Sequence, residues 1–417
     1  MKITYSLFLQ YIFLSLISLF LTSCREDYNP NLVSTAFLLA GISQNCISLD
    51  DCFDKYSKTT DEGATFQVFD SKGTKIYGRE NTLSSSTYKP IASGSKWVTA
   101  ITVMRAIDCT AGTATANCVS PINSCKTGGS KNLSLSTTTS EALSWTGEKG
   151  TITLRQLLSF TSGLNAGGGN GSGQATCISS LPTVASSTDK ENCANSIRDG
   201  STGIPGQFFQ YNSNHMAIAM RILEVSCNST WSQIFNAAMI TPLGWDSNQL
   251  SWKGNFQSGT TTDGSMAGAY GLTISAEHYS NMMSALLRNG TAKNNSIDVS
   301  GFLSSNSITE ILNDQYGNAT IGYSQFASFG YTWRYGLGNW RYCSNTNNSS
   351  ECDKDLISHS LGINGFYPFL DRNKGYFAIL AVNNLGRKNS IALLPATANS
   401  LFFGETVRPY IHTLLGK

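Results

Sequence analysis

The sequence feature that most constrains this chain is a serine and a lysine, three residues apart, at the start of a long apolar run. Ser93 and Lys96 lie in the segment 91–100, and residues 97–107 contain neither glycine nor proline and are mostly apolar. A run of this composition predicts a buried helix. Positions i and i+3 of a helix share a face, so we expect the Lys96 ammonium to lie over Ser93 at the helix N-terminus.

This arrangement favours nucleophilic chemistry. A serine hydroxyl is a weak nucleophile until a neighbouring base activates it, and a helix N-terminus offers free backbone N–H groups to a developing oxyanion. The Ser-x-x-Lys pattern also occurs at residues 86–89 and 187–190. Both of these copies lie in polar, Ser- and Thr-rich segments with no helix expected after them, so we interpret them as surface residues. Ser93 and Lys96 are the candidate nucleophile and its activating group.

Composition limits the other function classes. The chain has 417 residues, enough for one large or two medium domains, and 41% of them are hydrophobic. Only 13% are charged and the net charge is +2, which does not indicate nucleic-acid binding. No Cys-x-x-Cys pair and no His-rich cluster occurs, so we expect no structural metal site. We also expect no organic cofactor.

The N-terminus has the pattern of an export signal. Lys2 precedes an apolar run over residues 7–21, and the run ends in Leu-Thr-Ser-Cys at residues 21–24. That tetrapeptide resembles a bacterial lipoprotein processing site. We therefore predict a lipoprotein signal peptide at 1–23, lipidation of Cys24, and a polar tether or capping segment at 24–60. The mature protein would be held at a membrane through its lipid, on the periplasmic or cell-surface side. A plain signal peptide or an uncleaved membrane anchor is the alternative.

Eleven cysteines in an exported chain indicate disulfides. Without Cys24, ten remain, which is an even number. Short loops predict the pairs Cys46–Cys52, Cys177–Cys193 and Cys343–Cys352. The sequence does not pair the other four, Cys109, Cys118, Cys125 and Cys227.

The predicted strands lie near the two ends of the chain. Residues 64–70 and 74–77 alternate like a hairpin, residues 358–369 and 375–383 are typical of two late strands, and residues 391–415 are mostly helical in pattern. The middle of the chain is mainly helical. This order predicts an α/β (α+β) fold, with a domain at 61–417 divided into a sheet subdomain (61–105 and 265–417) and a helical subdomain (106–264). The site would lie between the two parts.

Four segments together resemble the serine β-lactamase and penicillin-binding-protein superfamily, in its class C and esterase-like branch. They are the Ser93-x-x-Lys96 helix, the segment 152–164, Pro-Gly-x-x-Phe-x-Tyr at 205–211, and Gly-x-x-Gly at 362–365. Their order and spacing match over residues 60–400. The resemblance implies a β-lactamase/transpeptidase-like fold, in which an antiparallel sheet is flanked by helices and carries a mainly helical inserted domain.

The resemblance also implies roles for the site residues. Ser93 would be acylated, Lys96 would help to deprotonate it, and Tyr211 would be the partner general base or acid. The oxyanion hole would combine the backbone N–H groups of Ser93 and Ile363. Free tyrosine has a pKa near 10, so a phenolate at position 211 would need a neighbouring cation such as Lys96. The alternative for Tyr211 is a core aromatic residue whose hydroxyl finds one partner.

Two motifs depart from the family pattern. The second is often Tyr-x-Asn, and here Ser213 holds the last position, with Asn214 next to it. The third commonly begins with a basic residue or Trp, and here Ser360 holds that position, two residues before Gly362. Lys-Thr-Gly at 126–128 matches the letters but lies too early in the chain. His359 could reach the site or could face the opposite side of the strand, since neighbouring residues alternate.

These residues predict a serine hydrolase that cleaves an ester or amide through an acyl-enzyme on Ser93. Without a lysine in the third motif, we expect substrates that bear a carboxylate to bind poorly, because a charge-assisted hydrogen bond is missing. The alternatives are a β-lactamase or D-alanyl-peptide hydrolase of the same fold, and a non-catalytic binding lipoprotein. The expected partners are a small ester or amide and, through Cys24, a membrane. The sequence does not predict an oligomeric state.

Overall fold

A computed structural model describes residues 46–165, 174–182, 184–253, 265–327, 331–342, 357–382 and 396–417. Residues Gln44–Lys417 form one compact unit. The predicted signal peptide, Cys24 and the predicted Cys343–Cys352 pair lie outside the described residues, so these remain predictions.

The strands and the helices are each numbered in chain order. The strands are β1 (Ala64–Phe69), β2 (Lys75–Glu80), β3 (Lys89–Pro90), β4 (Lys126–Thr127), β5 (Lys131–Asn132), β6 (Phe208–Gln210), β7 (Ser251–Trp252), β8 (Leu272–Ile274), β9 (Ala292–Asn294), β10 (Ile297–Val299), β11 (Thr320–Tyr323), β12 (Arg334–Tyr335), β13 (Trp340–Arg341), β14 (Ile357–His359), β15 (Tyr367–Asp371) and β16 (Tyr376–Val382). The helices are α1 (Leu49–Ser57), α2 (Ser95–Ala111), α3 (Thr139–Leu143), α4 (Gly147–Gly150), α5 (Leu154–Leu158), α6 (Thr176–Ser180), α7 (Ser187–Asp199), α8 (Asn214–Ser226), α9 (Trp231–Phe235), α10 (Thr241–Leu243), α11 (Ala276–Leu287), α12 (Ser305–Leu312) and α13 (Ala396–Leu414). A 3₁₀ turn spans Ala92–Gly94, and a π-helix spans Asn236–Ile240.

The main sheet is built from both ends of the chain. Its seven strands run in the order β12-β13-β14-β15-β16-β1-β2, and every neighbouring pair is antiparallel. The N-terminal β1 pairs with the C-terminal β16, so that Ala64 lies opposite Val382. The predicted antiparallel sheet flanked by helices is confirmed.

The prediction of one continuous strand over residues 358–369 is wrong. The structure divides this stretch into β14 and β15, and the chain reverses between them. Gly365, with a φ of 97°, donates its N–H to Gly362 O at 2.9 Å. Glycine adopts this left-handed conformation without a Cβ clash, so the reversal depends on a residue that a strand pattern does not distinguish.

The centre of the sheet is buried on both faces. All residues of β1 and β16 are buried. Helix α11 packs against β16, and Phe403 of α13 packs edge-to-face on Phe66 of β1, with ring centroids 4.9 Å apart. This double burial explains why residues 376–382 form a continuous apolar run rather than an alternating one.

The predicted polar tether ends earlier than residue 60. Residues Leu49–Ser57 form α1, whose N-cap Ser48 accepts a hydrogen bond from the Asp51 N–H. The helix buries Phe53 and Tyr56, and the Tyr56 hydroxyl lies 2.7 Å from Ser400 Oγ of α13. Of the two alternatives, a tether or a capping segment, this stretch therefore fits the capping segment, because its apolar face packs on the C-terminal helix.

Four disulfides join described cysteines: Cys46–Cys52, Cys109–Cys118, Cys125–Cys227 and Cys177–Cys193. Two of the three predicted pairs are thus confirmed, and the structure pairs the four cysteines that the sequence left open. These bonds indicate an extracellular or periplasmic location. Within the described part of the chain, we find no helix with the length and apolar character needed to cross a membrane.

Candidate active site

The candidate nucleophile lies in a strained turn directly before α2. Ser93 is the middle residue of the 3₁₀ turn, and Ala92 before it has a φ of 46°, which is rare for a residue with a side chain. Contacts from distant elements hold the turn: Ser360 Oγ donates to Ser93 O at 3.0 Å, and the Tyr279 hydroxyl donates to Gly94 O at 3.1 Å. Strained backbone of this kind persists only where the surroundings fix it, and it is concentrated at functional sites.

Lys96 lies in the first turn of α2, as predicted, with its ammonium over Ser93. Its Nζ is 2.9 Å from Ser93 Oγ and 2.8 Å from Ala269 O. The residue is 3% exposed, and burial lowers the pKa of Lys96 to about 7. About half of these amines are therefore neutral at pH 7, and a neutral amine can accept the proton of the Ser93 hydroxyl.

The backbone segment that faces Lys96 was not predicted from the sequence. It comes just before β8, where Gly268 O accepts a hydrogen bond from Thr99 Oγ1 at 2.7 Å and Ala269 O accepts one from Lys96. Gly338 packs directly against the backbone of Lys96, since a Cβ there would lie 2.4 Å from Lys96 O. Small residues at these positions allow two chain segments to pack against Lys96, which is buried.

Tyr211 directly follows β6 and lies beside Lys96. Its N–H donates to Tyr323 O at 3.1 Å, and its hydroxyl lies near the side chain of Ser93. Lys96 Nζ lies 4.6 Å from the centre of its ring. Burial raises the pKa of Tyr211 well above its ordinary value, so Lys96 does not produce a phenolate. At neutral pH, the Tyr211 hydroxyl therefore keeps its proton.

The Tyr211 ring is held by other aromatic side chains. Its centroid lies 5.0 Å from Trp340, 5.2 Å from Phe160 and 6.1 Å from Tyr335. Phe160 itself has a φ of 60°, which is a strained conformation for a bulky residue. Tyr211 is thus a packed aromatic residue as well as a site residue, and the packing fixes where its hydroxyl points.

The residues that follow β14 contain the backbone N–H groups that are candidates for the oxyanion hole. Ser360 and Gly362 donate their N–H groups to Pro368 O and Phe366 O of the neighbouring strand, at 3.3 and 2.8 Å. The N–H groups of Leu361 and Ile363, in the reversal between β14 and β15, donate to no backbone acceptor among the described residues. Gly362 must lack a side chain, since a Cβ would lie 2.4 Å from Ile91 O. Leu361 is a further oxyanion donor candidate that sequence reasoning missed.

The two side chains of the third motif separate onto opposite faces. Ser360 faces the site, where its hydroxyl binds Ser93 O. His359 is fully buried on the other face, and its ring centroid lies 4.8 Å from Trp333 and 5.4 Å from Tyr367. Burial lowers the pKa of His359 to about 3, so it is neutral at physiological pH. The structure does not bring His359 to Ser93.

In the second motif, Ser213 is partly exposed, and the Asn214 side chain is hydrogen-bonded to other parts of the chain. Ser213 precedes α8 directly. Asn214 Oδ1 accepts the N–H of Ala175 at 2.8 Å, and Asn214 Nδ2 donates to Asn165 O at 3.3 Å. Asn214 therefore connects two loop segments and does not replace the missing Asn of the motif.

The other motif copies lie elsewhere. Lys126 and Thr127 form β4 of a short two-stranded hairpin, and Lys89 pairs with Glu62. The expectation that no helix follows Ser187 was wrong, because Ser187 begins α7, with Ser186 as a capping residue. Lys190 on that helix is buried and is paired with Glu224, so it is not a surface residue.

His215 is hydrogen-bonded to the backbone directly before Tyr211, and it was not predicted from the sequence. Its Nδ1 lies 2.7 Å from Ser162 Oγ, and its Nε2 lies 2.8 Å from Gln210 O. Burial lowers the pKa of His215 to about 3, so the ring is neutral. A carbonyl can only accept, so Nε2 carries the proton and Nδ1 accepts the Ser162 O–H. A single histidine at the start of an apolar helix was the available signal.

The comparisons with known proteins agree with this geometry. The beta-lactamase family model matches residues 62–399, and this chain belongs to that family. Its fold places it in the superfamily of β-lactamase-fold serine hydrolases, whose members are generally hydrolases or acyltransferases. No curated protein matches the chain significantly.

Three solved structures illustrate the fold. A candidate beta-lactamase from Bacteroides dorei superimposes with a TM-score of 0.65 at 19% identity, covering 88% of this chain and 98% of its own. A mutant simvastatin synthase from Aspergillus terreus gives 0.55 at 14% identity, with 88% and 98% covered. An octameric penicillin-binding protein homologue from Pyrococcus abyssi gives 0.56 at 12% identity, with 88% and 77% covered. At these identities the likeness concerns the fold alone.

Among the described residues, we find no group of three or more His, Cys, Asp or Glu side chains that could hold a metal ion.

Proposed function

We propose that this protein is a serine hydrolase that cleaves a small neutral ester or amide through an acyl-enzyme on Ser93. The observation that supports this most is Lys96, which is buried within 2.9 Å of Ser93 Oγ and has a pKa of about 7. A structural lysine would not need to lie at hydrogen-bond distance from a hydroxyl in a strained turn. A general base works best when its pKa is near the working pH.

The proposed first half-reaction uses three side chains and two backbone N–H groups. Neutral Lys96 takes the Ser93 proton as Oγ forms a bond with the substrate carbonyl carbon. The oxyanion is bound by the N–H of Ser93 and by a late-strand N–H, for which Ile363 is the predicted donor. Tyr211 then gives its proton to the leaving group as the ester or amide bond breaks, and Lys96 returns the proton to Tyr211. Water releases the acyl group by the same steps in reverse order.

The charge of the site supports a neutral substrate. In the family pattern, a basic residue of the third motif can bind a substrate carboxylate. Here Ser360 is occupied with Ser93 O, and His359 is buried and neutral on the opposite face. A charge-assisted hydrogen bond contributes about 1.5–3 kcal/mol, so its absence reduces binding of carboxylate substrates by about 10- to 100-fold.

We also propose that the protein is exported and anchored as a lipoprotein through Cys24. The described disulfides support an oxidising compartment, and the apolar run before Cys24 supports processing at that residue.

The first experiment is active-site labelling read by intact mass. The protein is incubated with a fluorophosphonate, and Ser93→Ala and Ser86→Ala are treated in parallel. Ser86 is an exposed serine in a second Ser-x-x-Lys sequence, so it is a matched control. We expect one adduct on the wild type and on Ser86→Ala, and none on Ser93→Ala. An unlabelled but folded wild type would favour the binding-lipoprotein alternative.

The second experiment tests the substrate class. Steady-state rates for a neutral aryl ester and for a cephalosporin are compared with the same preparation. We expect a larger kcat/KM for the ester, and labelling by fluorescent penicillin that is slower than labelling by the fluorophosphonate. Faster turnover of the cephalosporin would refute the neutral-substrate proposal and leave the nucleophile assignment intact.

A further inference from the structure

A cavity lies among the helices of the molecule, away from Ser93. Its volume is about 620 Å³, and it is lined by residues of α3, α7 and α8 and by the start of α9. Tyr211 lies three residues before the first residue of α8, whereas Arg221 and Glu224 lie in its C-terminal half. At about 1.5 Å per helical residue, the ten residues from 214 to 224 put about 15 Å between the two sites. The cavity is therefore separate from the proposed active site.

The wall of this cavity contains two buried cations and one buried anion. Lys190, Arg221 and Glu224 are 3%, 8% and 5% exposed. Lys190 pairs with Glu224 Oε1, and Arg221 Nη1 lies 3.4 Å from Glu224 Oε2. The group thus has one positive charge more than it has negative charges. Glu191 also lines the cavity, but it is exposed, so water screens its charge.

The Glu224 carboxylate is shared among several hydrogen-bond donors, so it neutralises Lys190 and Arg221 only in part. Its Oε1 also accepts a hydrogen bond from the backbone N–H of Trp231, at 3.1 Å. The 3.4 Å contact with Arg221 is long for a charge-assisted hydrogen bond. A buried positive charge with a weak partner is costly, and an anion in the cavity would remove this cost.

Both cations have hydrogen-bond donors to spare. An ammonium has three N–H donors and a guanidinium has five. Among the described residues, Lys190 makes one hydrogen bond, to Glu224, whereas Arg221 makes two, to Glu224 and to Ser187 Oγ at 2.7 Å. Two donors on Lys190 and three on Arg221 are left for a ligand, on groups that line the cavity.

The rest of the wall combines polar side chains with the apolar residues Ala142, Leu143, Trp145, Ala185, Ala194 and Val225. Amide side chains line it at Asn195, Asn228 and Gln233, together with several serines and a threonine. Amides both donate and accept, as hydroxyl ligands require. The volume lies within the range of small-molecule sites, about 300–1,000 Å³, and is larger than an inorganic anion needs.

We propose that this cavity binds a small polyhydroxylated carboxylate, such as a sugar acid. The carboxylate would bind Arg221 and Lys190, where the guanidinium fork matches its two oxygens. The hydroxyl groups would bind the amide and hydroxyl side chains of the wall. This binding is independent of Ser93 and of the proposed hydrolysis.

The test uses sodium glucuronate as the probe and the full chain as the protein. Isothermal titration gives Kd, with glucose as the neutral analogue and sodium chloride at matched ionic strength as the salt control. We expect saturable binding of glucuronate and none of glucose. Arg221→Gln and Lys190→Gln should each weaken the binding by about tenfold or more, whereas Lys72→Gln, at an exposed turn, should not change it.

Two further measurements separate the possible failures. Saturation-transfer NMR on the wild type detects glucuronate directly, so the proposal stays testable if a variant does not fold. Fluorophosphonate labelling of Ser93 should be the same in wild type and Arg221→Gln, which separates this site from the proposed active site. The proposal is overturned if wild type shows no saturable binding, if glucose binds equally well, or if folded Arg221→Gln and Lys190→Gln both keep the wild-type Kd.

Discussion

The pKa of Lys96 leads to a quantitative prediction about the pH dependence of Ser93. Burial lowers this pKa from 10.5 to about 7. The neutral fraction is then about one half at pH 7 and about 1% at pH 5. If neutral Lys96 is the base, the acylation rate should fall by about 50-fold between these pH values, with an inflection near pH 7.

The same shift has a cost in folding free energy. A change of about 3.5 pKa units corresponds to about 5 kcal/mol, at 1.36 kcal/mol per unit. The penalty is fully present below pH 7, where the unfolded chain and the folded protein would both carry the proton, and it is lost as pH rises toward 10.5. Between pH 7 and pH 9, the free energy of unfolding should therefore rise by about 2 kcal/mol from this group.

The kinetic assay is single-turnover acylation by a p-nitrophenyl ester, followed from pH 5 to pH 9. Lys96→Arg keeps a permanent positive charge, so it should lose about 10²- to 10⁴-fold in acylation rate. Lys89→Arg, in the Ser-x-x-Lys sequence that pairs with Glu62, is the matched control and should follow the wild-type profile.

The folding assay is urea unfolding of wild type and Lys96→Met at pH 7 and pH 9. Lys96→Met removes the titrating group, so its free energy of unfolding should not show the rise expected for wild type. A flat acylation rate between pH 5 and pH 7, or a folded Lys96→Arg that acylates at the wild-type rate, would refute the assignment of Lys96 as the base. An equal pH dependence of unfolding in both proteins would refute the lowered pKa itself.

Three other predictions concern Tyr211, His359 and the disulfides. Tyr211→Phe removes the proton donor and should slow acylation by an alkyl ester about 10²- to 10⁴-fold, with a smaller loss for an ester whose leaving group needs no proton; equal losses for both esters would contradict the donor role. His359 must stay neutral in the fold, since burial lowers its pKa to about 3, so wild type should lose about 2–3 kcal/mol more than His359→Leu in free energy of unfolding between pH 6 and pH 4; parallel pH curves would be inconsistent with this. Removal of Cys125–Cys227, which spans 102 residues, should lower the free energy of unfolding by about 5 kcal/mol, against about 3 kcal/mol for Cys177–Cys193, which spans 16; the reverse order in chemical denaturation would argue against the loop-entropy explanation.

Local patterns in the sequence determined much of the fold. The apolar run without glycine or proline after Ser93 predicted α2, and the helical spacing placed Lys96 over Ser93. Alternation with a turn predicted the β1–β2 hairpin. In each case, the residues that decide the structure are neighbours in the chain, so the pattern contains the physical cause.

Contacts between distant segments decided the chemistry of the candidate site. The pKa of Lys96 depends on its burial, to which backbone at residue 269, far along the chain, contributes by contact with the amine. The sequence suggested a cation beside Tyr211, but burial raises the Tyr211 pKa and lowers that of Lys96. Desolvation is a property of the packed environment and cannot be determined from neighbouring residues.

The same distinction explains the remaining differences. The sequence placed His359 and Ser360 side by side, and only the hydrogen bonds of β14 with β15 decided which one faces Ser93. Lys190 resembled a surface residue until α7 packed on α8 and buried it against Glu224. The sequence by itself predicted the candidate nucleophile, its neighbouring lysine and the helix α2 beside them. The tertiary structure decided which charges are buried, because burial depends on segments that meet only in the folded chain.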